Sequence, residues 1–110
     1  MEPVIHNLFA GDPGPPGEEA FERLHQARTY RIERIFSHGQ ASAPGFWYDQ
    51  SCDEWVALLR GSAVLEFEGG ETMVLGPGDY VLIKKHAKHR VEETSADALW
   101  LAVHCESIFC

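Results

Sequence analysis

The stretch "GFWYDQSCDEWVALLRGSAVLEF", Gly45 to Phe67, decides the fold class. It contains the apolar run "EWVALL" and all but the last residue of the run "AVLEFE", and the turn signal "RGS" separates the two runs. Similar runs follow at close spacing, namely "TMVLG", "YVLIK", "HRVEE" and "ALWLAVH", with Gly-, Asp- or Ser-containing turns between most of them. Short strands at this spacing are typical of a sandwich or barrel. We therefore predict one all-β domain.

The N-terminal part has a different pattern. "GDPGPPG" must be a loop, because nearly all of its residues are Gly or Pro. In "EEAFERLHQAR" acidic residues come first and Arg28 comes last, and Ala20, Phe21 and Leu24 share one helical face. This predicts a short helix. "YRIERIF" then alternates with a period of two, which predicts a strand and a plausible sheet edge. We expect residues 1–28 to form an arm and helix that pack on a barrel of residues 29–110.

The composition indicates which binding partners and which cell compartment to expect. The chain has 110 residues, and 17 acidic against 9 basic residues give a formal net charge of −8, which argues against a general nucleic-acid binder. No apolar run approaches the roughly 20 residues of a membrane helix, and the N-terminus lacks the basic and apolar regions of a secretory signal. Cys52, Cys105 and Cys110 have no metal-binding spacing and indicate reduced thiols. We expect a cytoplasmic protein with neither nucleic acid nor membrane as a partner.

Two motifs point to a family. Glu54 is followed seven positions later by Gly61, and "LGPGDYVLIKKHAKHRV" places Gly78 eleven positions before His89. This pattern resembles the two signature motifs of the cupin superfamily, and "GFWYDQ" followed by "DEWV" resembles small bacterial single-domain cupins. The resemblance runs from about residue 30 to residue 104. It implies a single-domain jelly-roll β-barrel with a site in its interior.

The resemblance also implies a metal site. Cupins usually carry histidines at the positions that Tyr48 and Gln50 hold here, and the second motif also departs from the usual residues at Lys84, His86 and Glu93. The implied ligands are Gln50, Glu54 and His89, and the implied cofactor is a divalent transition metal such as Zn, Fe, Mn or Ni.

Strand parity supports the position of these side chains. Residues two apart on a strand share a face, so Tyr48, Gln50 and Glu54 would point inward together. A one-residue bulge would instead turn Asp49 inward, and this alternative stays open.

The remaining site residues follow from these positions. Tyr48 is the candidate for moving a proton in catalysis. Trp47, Asp49, His86 and His104 are expected around a ligand pocket. We predict that His89 points into the barrel, whereas His86 belongs to the turn before it.

Two functions are compatible with such a site. The first is a metal-dependent enzyme of isomerase, lyase or dioxygenase type that acts on a small polar metabolite. The second is a metal-free cupin that binds or senses a small molecule without catalysis. A third possibility is an interaction module, and a homodimer is expected with any of the three.

Overall fold

The computed structural model describes residues 2–11, 13–15 and 17–105. This part of the chain forms eight strands and no helix: β1 Ala20–Gln26, β2 Tyr30–Phe36, β3 Glu54–Arg60, β4 Ala63–Phe67, β5 Thr72–Leu75, β6 Tyr80–Ile83, β7 His89–Thr94 and β8 Leu99–Cys105. The predicted all-β fold is confirmed. Since these residues contain no helix, they also contain none that could cross a membrane.

The strands form two antiparallel sheets. One sheet has the order β1-β2-β8-β3-β6, and the other has the order β5-β4-β7. The barrel is not closed, because the described strands form two separate sheets. Tyr48, which belongs to none of these strands, forms an isolated bridge with His89 at the start of β7. Apolar side chains of both sheets form the core, namely Val56, Leu58, Ala63, Leu65, Leu75, Ile83, Ala98, Trp100 and Ala102. The fold is therefore a two-sheet structure with its core between the sheets.

The predicted N-terminal helix is wrong. Its residues form strand β1, which pairs with β2 from Ala20 opposite Phe36 to Gln26 opposite Arg31. An isolated helix of this length is marginal in water, whereas the free edge of β2 supplies a full set of backbone partners. The apolar side chains of the predicted helical face gain little burial, since Phe21 is 59% exposed and Leu24 38% exposed.

Strand β2 lies inside its sheet and not at its edge. It pairs with β1 on one side and with β8 on the other, so the edges of this sheet are β1 and β6. Two of the three charged residues of "YRIERIF", Arg31 and Glu33, face the space between the sheets. Charged side chains therefore lie between the sheets, where the alternating pattern of the sequence would lead one to expect apolar side chains.

The cysteines differ from expectation in one case. Cys52 has a free thiol, whereas Cys105 is disulfide-bonded. The prediction of reduced thiols is therefore confirmed for Cys52 and wrong for Cys105, and Cys110 lies outside the described residues.

Candidate functional site

A cavity of about 280 Å³ lies between the two sheets. This volume is at the small end of the range for ligand sites, roughly 300–1,000 Å³. Its lining combines apolar and ionisable side chains: Glu19, Phe21, Arg31, Glu33, Ile35, Tyr48, Gln50, Glu54, Val56, Leu65, Ile83, His89, Val91, Trp100 and His104. The size fits a small metabolite, and the ionisable groups can hold or move protons.

Glu54 is the buried carboxylate of the cavity. It begins β3, and its side chain is 12% exposed. Its register partners are His104 on β8 and Ile83 on β6. Partners in register point to the same side of a sheet, so the three residues form a row on the inner face. Glu54 is thus a polar residue at the start of the mostly apolar strand β3, and its carboxyl group lies inside the protein.

His89 faces Glu54 from the opposite sheet. It begins β7, its side chain is 5% exposed, and its Nε2 lies 3.8 Å from Glu54 Oε1. Its Nδ1 lies 2.8 Å from the carbonyl oxygen of Ala87. Since a carbonyl oxygen can only accept, Nδ1 carries a proton, and in the neutral ring Nε2 has a free lone pair. Nε2 is the ring nitrogen that lies near the Glu54 carboxyl group.

His104 lies between two carboxylates. Its Nε2 is 3.2 Å from Glu33 Oε1 and 3.5 Å from Glu54 Oε2. Arg31 donates from Nε to the same Glu33 oxygen at 2.8 Å. These four ionisable side chains form a row across the inner face, in the order Arg31, Glu33, His104 and Glu54. Arg31 and His104 each have a carboxyl group beside them.

The environment of Glu54 changes its acidity. Burial disfavours the charged carboxylate and raises its pKa from 4.5 to about 7. Repulsion from Glu33 adds to this shift, and Arg31 opposes it. A carboxyl group with this pKa is present in both protonation states near neutral pH. It therefore meets the requirement for general acid–base chemistry.

Tyr48 lies beside His89. Their main chains are joined by Tyr48 N to His89 O at 2.7 Å and by His89 N to Tyr48 O at 3.1 Å. Their rings stack with centroids 5.4 Å apart. Burial first, and then the charges of Glu19 and Glu54, raise the pKa of the Tyr48 phenol. The hydroxyl stays protonated at neutral pH and is available as a hydrogen-bond donor.

The predicted metal ligands Gln50, Glu54 and His89 all line the cavity. Glu54 and His89 face each other, and Gln50 lines the same cavity. Imidazole and carboxylate suit divalent transition metals. However, the described His, Cys, Asp and Glu residues form no group of three or more that could hold a metal ion. A specific metal is therefore not supported, and the ligand set of Gln50, Glu54 and His89 stays a prediction.

The other predicted pocket residues separate into two groups. Tyr48, Gln50 and His104 line the cavity, whereas Trp47, Asp49 and His86 are not among its lining residues. The open choice between Asp49 and Gln50 is thus decided for Gln50.

His86 has a different role in the structure. Its Nδ1 lies 2.8 Å from Asp49 Oδ1 at the surface, and its backbone is left-handed with φ of 63°. The expectation that His89 points inward and His86 belongs to the turn is confirmed. The two histidines do not act as a pair.

Three ionisable residues of the cavity were not anticipated: Glu19, Arg31 and Glu33. Arg31 and Glu33 could have been found from the alternation of "YRIERIF", in which they share one face with Ile35. That face looks solvent-exposed in the sequence, because charged side chains are rarely buried without partners. Glu19 stands within the segment that was expected to be helical, and no sequence signal identifies it.

Comparison with known proteins identifies the family. The model of the Cupin domain family matches residues 34–104. The chain belongs to the cupin family. A comparison with curated proteins finds no match.

Solved structures agree with this assignment. A Ralstonia eutropha protein named as a candidate mannose-6-phosphate isomerase is similar at 45% identity and a TM-score of 0.88, covering 96% of this chain and 100% of that chain. A cupin superfamily protein from Desulfitobacterium hafniense is 17% identical with a TM-score of 0.74 over 86% of this cupin and 83% of that chain. An RmlC-like cupin from Desulfovibrio desulfuricans is 15% identical with a TM-score of 0.73 over 97% and 100%. The last two support the fold alone.

Proposed function

We propose that this cupin is an isomerase-type enzyme that moves a proton next to a carbonyl group of a small polar metabolite. The observation that carries the proposal is the buried carboxyl group of Glu54, which has a pKa of about 7 and lies within 4 Å of two imidazoles. A positioned group with a pKa near the working pH is the most effective general base or acid.

The reaction follows from the residues of the cavity. Ionised Glu54 takes a proton from the carbon beside the carbonyl, and the electron pair of that bond moves toward the carbonyl oxygen. The Tyr48 hydroxyl donates a hydrogen bond that stabilises the negative charge on this oxygen. Glu54 then returns the proton to the neighbouring carbon, while a hydroxyl proton of the substrate moves to the former carbonyl oxygen. Reactant and product contain the same atoms, and no oxidant is needed.

The two histidines have positioning roles in this scheme. His104, which lies between Glu33 and Glu54, holds the carboxyl group of Glu54 in place. His89 presents Nε2 on the opposite side of the carboxyl group and can accept a hydrogen bond from a substrate hydroxyl. The scheme needs no metal ion, because Glu54 moves the proton and the Tyr48 hydroxyl donates to the carbonyl oxygen.

The relative from Ralstonia eutropha favours an isomerase over a lyase or a dioxygenase. Its name describes a sugar isomerase, and it matches this chain over nearly its whole length. Interconversion of an aldose and a ketose is a proton transfer of the type that Glu54 can perform. The name of the relative thus favours this reaction class, and Glu54 is the candidate acid–base group.

The test is exchange of carbon-bound hydrogen with solvent. The protein is incubated in D₂O with a panel of aldoses, ketoses and their phosphates, and deuterium at the carbon beside the carbonyl is followed by proton NMR. We expect exchange with the wild type and a loss of at least about a hundredfold in Glu54→Gln. Glu71→Gln is the control, since Glu71 is exposed and lies outside the cavity lining. Absence of exchange with every compound would reject catalysis and favour a ligand-binding cupin.

A further inference from the structure

The charges of the cavity define which substrates it can accept. We infer that this cupin binds an uncharged polyhydroxy compound, such as a free sugar, and discriminates against the phosphorylated form. This inference rests on the proposed function, because it names the substrate class of the same cavity. It differs from the name of the relative from Ralstonia eutropha, which specifies a sugar phosphate.

The cavity has more carboxylates than permanent cations. Glu19, Glu33 and Glu54 line it, and among the described lining residues Arg31 is the one Lys or Arg side chain. The guanidinium of Arg31 already donates to Glu33 at 2.8 Å. A phosphate monoester carries a charge of about −1.5 to −2 at neutral pH. It would enter a confined space of like charge, where repulsion is stronger than in water.

The histidines do not reverse this balance. Nε2 of His104 lies within 3.5 Å of two carboxylates, Glu33 and Glu54. Nε2 of His89 faces Glu54 at 3.8 Å. A proton on either ring is therefore offset by a carboxylate that is already beside it. Glu19 adds a further carboxylate, whose Oε2 accepts a hydrogen bond from the Ser37 hydroxyl at 2.8 Å.

The basic segment before and within β7 cannot supply the missing charge. Three of its four Lys and Arg side chains pair with carboxylates outside the cavity: Lys84 with Asp53, Lys88 with Glu68 and Arg90 with Glu92. None of these six residues lines the cavity, and neither does the fourth cation, Lys85. The residues outside the described part of the chain include no Lys, Arg or His. Arg31, which already donates to Glu33, is thus the one Lys or Arg side chain of the described residues that lines this cavity.

A free sugar carries no charge, so the carboxylates of the cavity do not repel it. Carboxylates accept hydrogen bonds from hydroxyl groups, and charge-assisted bonds of this kind are strong. Tyr48, Gln50 and His89 add further polar atoms, while Phe21 and Trp100 provide aromatic surface. Aromatic rings and convergent polar groups are the usual elements of a small-molecule site.

Binding of matched pairs tests the inference. Isothermal titration calorimetry at pH 7.5 compares mannose and fructose with mannose 6-phosphate and fructose 6-phosphate. We expect the free sugars to bind at least about tenfold more tightly than their phosphates. Tighter binding of the phosphates, or no binding of either free sugar, would overturn the inference.

A charge variant adds a second test. Glu19→Gln removes one cavity charge and keeps the shape of the side chain, so it should improve phosphate binding relative to free-sugar binding by about threefold or more. Glu71→Gln makes the same change in net charge away from the cavity and should leave the ratio unchanged. An equal ratio in all three proteins would contradict the inference.

The exchange experiment separates this inference from the proposed function. If only the sugar phosphates exchange deuterium, the isomerase function holds and the substrate class is wrong. If the free sugars bind preferentially but nothing exchanges, the substrate class holds and the catalytic function is wrong.

Discussion

Glu54 and His104 are register partners on neighbouring strands, and Oε2 of Glu54 lies 3.5 Å from Nε2 of His104. Glu33 approaches the same nitrogen to 3.2 Å. Two carboxylates thus share one imidazole in a largely apolar cavity. Because burial and the charge of Glu33 both disfavour a second negative charge, a proton is held at Glu54 close to neutral pH.

The stability of the protein should depend on the titration of Glu54. Its pKa is about 7 in the folded state against an ordinary value of 4.5. Between these values the folded state binds a proton that the unfolded state lacks, so the free energy of unfolding falls as pH rises through this window. The loss is on the order of 3 kcal/mol. Urea unfolding from pH 4.5 to 8 should show this decline in the wild type and in Glu71→Gln, and much less of it in Glu54→Gln. Equal slopes in all three proteins would rule the effect out.

Two neighbours should shift the pKa of Glu54 in opposite directions. Glu33 raises it and Arg31 lowers it. We therefore expect Glu33→Gln to move the pH midpoint of deuterium exchange to lower pH, and Arg31→Gln to move it to higher pH. A merely structural role for these residues would lower the rate without moving the midpoint. The measurement is the pH–rate profile of each variant, and shifts in the same direction would contradict the charge account.

Metal removal should leave deuterium exchange intact. The described residues provide no group of three or more His, Cys, Asp or Glu ligands. We expect protein purified without a histidine tag to hold no stoichiometric Zn, Fe, Mn or Ni by plasma mass spectrometry, and to keep its exchange rate after treatment with EDTA. A stoichiometric metal that is lost in a Glu54→Ala/His89→Ala double variant would contradict this and restore the predicted metal site.

Gly61 should tolerate no side chain. Its φ is +83°, and an added Cβ would lie 2.3 Å from Ser95 Oγ and 3.0 Å from Ala98 Cα. Gly78 also has a positive φ, of +91°, but an added Cβ there would meet nothing within 4 Å. Both alanine variants lose stability through backbone strain, and Gly61→Ala should lose about 1–3 kcal/mol more because of the clash. Urea denaturation measures the difference, and equal losses would contradict the packing argument.

The sequence predicted the parts of the fold and the site that have local or motif signals. The turn residues around "EWVALL" and "AVLEFE" identified the strands, and the cupin motifs identified Glu54 and His89. The N-terminal strand could not be predicted, since its conformation depends on the free edge of β2 and not on its own residues.

The burial of Arg31 and Glu33 was missed for a related reason. An alternating strand specifies two faces, but it does not specify which one lies inside. Here the face that carries Arg31 and Glu33 is inside, where Arg31, Glu33 and His104 satisfy one another. Such mutual pairing depends on strands far apart in the chain and becomes visible only in the folded structure.

The most direct test of the account is the titration of the Glu54 carboxyl group by NMR. Protein labelled with ¹³C at glutamate side-chain carboxyls is followed from pH 4 to 9, and comparison with Glu54→Gln assigns the resonance. We expect the Glu54 carboxyl resonance to titrate with a midpoint of about pH 7. A midpoint near the ordinary value of 4.5 would mean that Glu54 is fully ionised at neutral pH, and this would contradict the central role assigned to its proton.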